Sequence, residues 1–316
     1  MGEKETQKNI STHFPSIGLG SMMMGWRLSF SESKKIFSLA QSNGIELIDT
    51  SVSYARGDCH RMIARVLKDL KLKNKFYIAT KIGGISDKNE RHFGYSKKNI
   101  LRQCDLSLAQ LNVETIDLLQ LHAPSSSKRT DEILETLDEL KNQGKIKNYG
   151  LCNFQKDNLI DFISSAKKQD FMMPISNQFE YNLLNCHKKN SLISWLHSNK
   201  IATITWGLLA GGILTNWYLE NSVIRPNSRI KLGKELQEKS EILQRPATQE
   251  ILKKISKVSK ELSISAPVLS ALWAIKTQPK NCLLLGPSSF CQFKELIEGI
   301  NNFKKNEINL KSLIQI

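Results

Sequence analysis

No run of apolar residues in this chain is long enough to cross a bilayer, so a membrane-spanning helix is not expected. The first twelve residues, Met1 to Thr12, are polar and charged and lack the apolar core of a secretory signal, which points to the cytoplasm. Disulfide and zinc frameworks are missing too. Cys59, Cys104, Cys152, Cys186, Cys282 and Cys291 form no CxxC pair and have no companion histidine at zinc-ligand spacing. In a cytoplasmic chain they read as reduced thiols filling small apolar spaces, and no metal site is expected. No Pro/Ser-rich linker, repeat or shift in composition divides the chain, so residues 1–316 are expected to form one domain.

With 40% hydrophobic and 24% charged residues, the chain belongs with globular proteins rather than disordered or fibrous ones. A formal charge of +15 raises the question of a nucleic-acid or membrane partner. Clustering is what such partners require, and it is absent. Short basic groups such as Lys71-Leu72-Lys73-Asn74-Lys75 and Lys145-Ile146-Lys147 recur evenly, beside expected helix ends where cations suit the helix dipole. The abundance of Lys, Asn, Ile and Ser has the look of genome bias, and neither nucleic acid nor membrane is expected as a partner.

Short β-type runs alternate with helical segments almost from end to end, the pattern of a parallel sheet with crossover helices. Strands are predicted at Ser16–Leu19, Glu46–Ile48, Phe76–Thr80, Ile116–Leu121, Ile146–Leu151, Pro174–Gln178, Ile201–Thr205 and Cys282–Leu285. Helices are predicted at Glu32–Ser42 behind a Ser31 cap, Arg61–Leu70, Lys97–Gln110 behind Ser96, Asp131–Asn142 behind Thr130, Lys156–Lys168, Lys188–Ser198, Glu250–Leu262 and Ala266–Lys276. The weakly periodic stretch from Ala210 to about Pro246 reads as a long loop. Eight βα units could also build a doubly wound sheet, but that fold places a Gly-rich phosphate turn after its first strand. Here Gly18-Leu19-Gly20 runs on into Ser21-Met22-Met23-Met24-Gly25, so an α/β fold of the (β/α)8 TIM-barrel type is predicted.

In such a barrel, functional groups gather at the carboxyl ends of the strands. Asp49 closes the second strand, Tyr54 lies five residues on, Lys81 closes the third strand in Ala79-Thr80-Lys81, and His122 closes the fourth in Leu119-Gln120-Leu121-His122. Singly, each has an ordinary explanation as a turn cap, a wall aromatic or a structural hydrogen-bonder. Together they put an acid, a phenol, an amine and an imidazole at one cavity mouth.

At these four residues the chain resembles the aldo-keto reductase family, whose Asp, Tyr, Lys and His tetrad has this order and placement. The resemblance continues through Gly144-Lys145-Ile146-Lys147-Asn148-Tyr149-Gly150-Leu151-Cys152-Asn153-Phe154, through Asn177-Gln178-Phe179-Glu180-Tyr181-Asn182, and through the stretch from Thr205 to Thr215. It ends on Leu285-Gly286-Pro287-Ser288-Ser289 followed by Gln292.

The resemblance implies hydride transfer between a nicotinamide cofactor and an aldehyde, ketone or alcohol. Tyr54 would donate the proton, because hydride addition leaves negative charge on the carbonyl oxygen. Lys81 would lower the phenol's pKa, each unit being worth about 1.4 kcal/mol. Asp49 would keep Lys81 charged and also stand among the cofactor contacts, and His122 would orient the carbonyl. Asn153 and Gln178 match positions that bind the nicotinamide carboxamide, with Cys152 standing where a Ser is usual, and Trp206 matches the aromatic that stacks on the ring. Ser288, Ser289 and Gln292, with Lys294 nearby, match the adenosine end. NADP(H) is implied over NAD(H), although Ser288 stands where many relatives carry Arg or Lys, and Leu296 replaces a common Asn. Met22-Met23-Met24 and Trp26 suit either an apolar substrate wall or core filling. Substrate choice is expected to lie in the loops Ile82–Tyr95, Ala123–Arg129 and Gly211–Gly233. The alternative function is a non-catalytic nucleotide-binding barrel acting as sensor or partner subunit.

Overall fold

Strand-forming runs of Ile, Leu and Val alternate with amphipathic stretches, and each run buried on both faces pairs with the next. In the computed structural model, which describes residues 14–304 apart from 84–93, 126–128, 222, 227, 233–235 and 279, the strands are β1 (Ile17–Gly20), β2 (Leu47–Asp49), β3 (Tyr77–Ile82), β4 (Ile116–Leu121), β5 (Ile146–Cys152), β6 (Ser176–Glu180), β7 (Ala202–Trp206) and β8 (Asn281–Leu285). They pair in sequence order, all parallel, and β8 closes on β1 with Leu285 opposite Leu19. The predicted barrel is therefore present. Several strands run one or two residues further toward their carboxyl ends than predicted. A hydrophobicity criterion stops where a strand turns polar, yet the ladder continues through Gly20, Asp49, Lys81 and Glu180.

The helices are α1 (Phe30–Ser42), α2 (Asp58–Asp69), α3 (Lys97–Leu111), α4 (Thr130–Asn142), α5 (Lys156–Lys168), α6 (Asn190–Ser198), α7 (Asn216–Glu220), α8 (Arg229–Leu232), α9 (Leu236–Gln244), α10 (Pro246–Leu262), α11 (Ala266–Thr277) and α12 (Phe290–Lys304). Two caps differ from prediction. Ser29, not Ser31, caps α1 in a reciprocal box with Glu32, the Ser29 hydroxyl accepting from Glu32 N at 3.2 Å. Thr130 is the first residue of α4 rather than its cap, and Asp131 and Glu132 support that end through the helix dipole.

The stretch predicted as one long loop after Ala210 carries a 3-10 turn at Ala210–Gly212 and then α7, α8 and α9. These helices are too short to display a period, and tertiary burial of Tyr218, Ile230 and Leu243 holds them. Nothing was predicted over α12, although Phe293, Leu296, Ile297 and Ile300 are spaced for a helix and all are buried.

Side chains alternate across each strand, so every strand sends one parity into the barrel and the other toward the helices. Leu47, Ala79, Leu118, Ile204, Cys282 and Leu284 form a small interior cluster, with the Trp206 ring packed against it. Two residues further along the same parity come Asp49, Lys81, Gln120 and Trp206. The apolar plug thus forms the floor on which the polar groups stand. Space inside is limited: a Cβ on Gly18 would sit 2.8 Å from Leu284 Cδ2, and one on Gly150 would sit 2.4 Å from Ser176 Oγ. Among the described residues no helix is long and apolar enough to cross a membrane.

Candidate active site

The four strand-end residues meet. Lys81 is 1% exposed, and its Nζ donates to Asp49 Oδ2 at 2.5 Å, to the Thr50 carbonyl at 3.1 Å and to the Tyr54 hydroxyl at 3.2 Å. The rings of Tyr54 and His122 stand edge to face with centroids 6.1 Å apart. His122 is buried, its Nδ1 lies 3.4 Å from Ser51 Oγ, and its backbone N–H donates to Ile82 O at 2.9 Å.

Tyr54 reaches the mouth through an uncommon turn. After it, Ala55 and Arg56 take left-handed conformations (φ 46° and 56°) and Gly57 a third (φ 94°). Two consecutive non-glycine residues in that region are strained by about 1–3 kcal/mol each, a feature that concentrates at functional sites. Hydrogen bonds from Tyr54 N to Ser51 O (3.1 Å) and from Val52 N to Lys81 O (3.1 Å) hold the turn against the end of β3.

Asp49 is saturated from both sides. Gln178 Nε2 donates to its Oδ1 at 2.7 Å and Gln120 Nε2 at 3.2 Å, while Gln178 Nε2 also lies 3.1 Å from Gln120 Oε1. The carboxylate therefore has donors on each oxygen, which is what a buried charge requires. Burial works against the Lys81 charge, but Asp49 and the neighbouring groups more than offset it and hold the ammonium above its ordinary pKa.

The expected lowering of the Tyr54 pKa is not found. Burial of the phenolate outweighs the field of Lys81, Asp49 adds to the upward push, and the phenol is raised to about 12. It stays protonated at neutral pH. His122 is lowered to about 3, first by burial and then by the Lys81 charge, so its imidazole is neutral. Cys152 is raised to about 12, chiefly by burial, and remains a thiol.

Of the residues assigned to the cofactor, Cys152, Asn153, Gln178 and Trp206 lie at the same mouth. Asn153 has φ 64°, donates through Nδ2 to His122 O at 3.0 Å and to Cys152 Sγ at 3.3 Å, and donates through its backbone N–H to Gln178 O at 2.7 Å. The Cys152 thiol is 3.8 Å from Gln178 Oε1, a long contact even for sulfur. At the far end Ser288, Ser289 and Gln292 cap α12: the Gln292 side chain accepts from Ser288 N at 3.0 Å and Ser289 Oγ accepts from Gln292 N at 3.3 Å. Lys294 pairs with Glu298 at 3.7 Å, and Leu296 is buried in the core. Met23 and Met24 are core residues, Met22 is half-buried, and Trp26 is 53% exposed. Residues 84–93, 126–128, 222, 227 and 233, within the loops expected to choose the substrate, lie outside the described residues.

Sequence reasoning missed Gln120, Ser51 and Tyr95. Gln120 carried a readable signal, since it shares the strand parity of His122 and is a lone amide between leucines. Ser51 carried none. Among the described residues no group of three His, Cys, Asp or Glu is placed to hold a metal ion.

A closed parallel barrel with a polar cluster at the carboxyl ends of its strands is the architecture of a barrel enzyme. The chain belongs to the aldo/keto reductase family, whose model matches residues 16–313. That makes it an oxidoreductase that works with a nicotinamide nucleotide on carbonyl or alcohol groups. The fold is also that of an aldo/keto reductase from Klebsiella pneumoniae solved in complex with NADP and acetate: TM-score 0.68, 18% sequence identity, covering 95% of this chain and 89% of that one.

Proposed function

We propose that this chain reduces an aldehyde or ketone with NADPH, with Tyr54 as proton donor, Lys81 and Asp49 as the buried pair behind it, and His122 as the group that orients the carbonyl. The observation that carries the reading is the position of Lys81 Nζ, 2.5 Å from Asp49 and 3.2 Å from the Tyr54 hydroxyl. Tyr54 holds its proton until negative charge grows on a nearby oxygen, and the ammonium then stabilises the phenolate that forms. Reduction is the direction that uses a loaded phenol. His122, being neutral, carries one ring N–H; if the Ser51 hydroxyl donates to Nδ1, that N–H is on Nε2 and serves as the donor to substrate.

The residues present fit a nicotinamide nucleotide. The amide nitrogens of Asn153 and Gln178 are turned inward, to His122 O and to Asp49 and Gln120, so their oxygens are the groups left to receive a carboxamide NH2. Trp206 offers a half-buried aromatic face beside them. Gly207, Gly211 and Gly212, all with positive φ, form the turn after β7, and an added Cβ at Gly212 would meet nothing within 4 Å. That leaves room for close approach of a phosphate to backbone. Ser288, Ser289 and Gln292 would take the adenosine end at the start of α12. When bound, the nucleotide supplies the hydride. The preference for NADPH is supported by the NADP held by the Klebsiella relative and by the cationic chain.

The test measures nucleotide consumption with a panel of aromatic, aliphatic and sugar aldehydes, together with NADPH and NADH affinity, on wild type and Tyr54→Phe. Turnover in the variant should fall about 10²–10⁴-fold with NADPH affinity retained. Near-normal turnover would refute Tyr54 as donor. Binding without turnover on every aldehyde in the wild type would favour a sensor, and equal affinity for both nucleotides would remove the NADPH preference alone.

A further inference from the structure

Tyr95 stands beside the site and belongs to none of the roles above. Its ring lies over Gly83: a Cβ added there would come within 2.3 Å of the ring and its hydroxyl, and the φ of 84° already favours glycine. The hydroxyl donates to Ala123 O at 2.8 Å, accepts from Ala123 N at 3.1 Å and lies 3.5 Å from Ile82 O. Ile82 follows Lys81 and Ala123 follows His122, so one phenol ties the end of β3 to the end of β4 immediately beyond two site residues.

The anchoring extends outward. Gln103 of α3 accepts from Gly83 N at 2.9 Å and donates to Asn99 O at 3.1 Å and Gly94 O at 3.4 Å, fixing both chain segments that bring Gly83 and Tyr95 together. Tyr95 is 8% exposed, and burial holds its phenol well above the ordinary range, so the hydroxyl is a permanent donor. The His122 ring is held by a 3.4 Å contact from Nδ1 to Ser51 Oγ, by its edge-to-face contact with Tyr54 and by a hydrogen bond to the backbone of Gly83, the residue over which Tyr95 lies. Its backbone is held by Ile82 O, which accepts from the N–H, and by Asn153 Nδ2, which donates to the carbonyl. Tyr95 holds the next peptide.

We propose that Tyr95 is a positioning residue for His122: by satisfying both the N–H and the C=O of Ala123, its hydroxyl fixes where the imidazole meets the substrate carbonyl. The inference rests on the role of His122 given above. A tyrosine serving stability alone would lower the melting temperature and leave turnover alone.

The test compares wild type, Tyr95→Phe, Gly83→Ala and Tyr54→Phe, using NADPH and the aldehyde of highest turnover in the panel. Tyr95→Phe keeps the ring and removes the bridge. Its kcat should fall about ten-fold, the size expected for loss of a buried hydrogen bond that sets catalytic geometry, with NADPH affinity unchanged. The 15N signals of the His122 ring, assigned by their absence in His122→Asn, should shift at a temperature well below melting. Gly83→Ala, which must displace the Tyr95 ring, should give the same kinetic pattern. Unchanged kcat and ring signals in Tyr95→Phe, with only a lower melting temperature, would overturn the proposal, as would a loss confined to NADPH affinity. Full turnover in Tyr54→Phe would instead mean that the underlying site reading had failed.

Discussion

Lys81→Met probes the site most directly, because the structure allows both its effects to be sized. The lysine side chain is 1% exposed and that of Asp49 5%. Methionine keeps the unbranched shape but removes all three Nζ hydrogen bonds, leaving the Asp49 carboxylate buried with only the two glutamine amides on Oδ1. Removing one partner of a buried ion pair costs about 3–5 kcal/mol. With an unfolding entropy of about 2.1 cal/mol/K per residue, a chain of 316 residues should melt about 5–8 °C lower. For the rate, a unit charge 3.2 Å from a full phenolate is worth about 5 kcal/mol at an effective dielectric of about 20. A transition state with the charge half developed would lose about half of that, roughly 10²-fold in turnover. Lys81→Met combined with Asp49→Asn removes the orphaned charge and should recover part of the melting temperature while turnover stays low. Scanning fluorimetry at a fixed rate and NADPH-dependent aldehyde reduction measure the two effects. A single variant as stable as wild type would refute the buried-pair argument, and a double variant that regains turnover would refute the role given to the Lys81 charge.

Two further outcomes are expected. His60 and His122 are buried and lowered to about 4 and about 3, so the unfolded chain takes up protons below about 6.5 while the native protein does not. Their contribution is full above pH 6.5 and lost on acidification, about 2 kcal/mol per histidine by pH 5. His60→Gln, whose amide can still reach Thr80 Oγ1, should therefore remove about half of that loss in urea unfolding at pH 7 and pH 5; an unaltered pH dependence would count against it. Cys152→Ser places a stronger donor where the thiol sits 3.8 Å from Gln178 Oε1, and should tighten NADPH binding about two- to five-fold by fluorescence titration, whereas unchanged or weaker binding would refute it.

What could be read from the sequence followed from two periodicities. Strand runs such as Ile116–Leu121 are rich in apolar residues, broken here only by Asp117 and Gln120, because a barrel strand is buried on both faces, and this made the strands legible to within a residue or two. The candidate site residues were legible where a polar group ends such a run, as at Asp49, Lys81 and His122. Helices α7 to α9 were not, since pieces of four to nine residues owe their form to what they pack on. The acidity of Tyr54 was misjudged for a related reason. Sequence placed Lys81 beside the phenol but said nothing of how dry the mouth would be, and there burial raises the pKa more than one ammonium lowers it. Tyr95 and Gln120 act only through contacts made across strands: the Tyr95 phenol through Ala123, 28 residues away, and the Gln120 amide through Asp49, 71 residues away. Motifs carry the groups that touch substrate because their chemistry restricts residue type. The groups that hold them in place are restricted by geometry instead, and several residue types can satisfy that geometry. Positioning residues are therefore marked by the buried hydrogen bonds they make at the strand ends, as Tyr95 does at Ala123 and Gln120 at Asp49, and not by residue type.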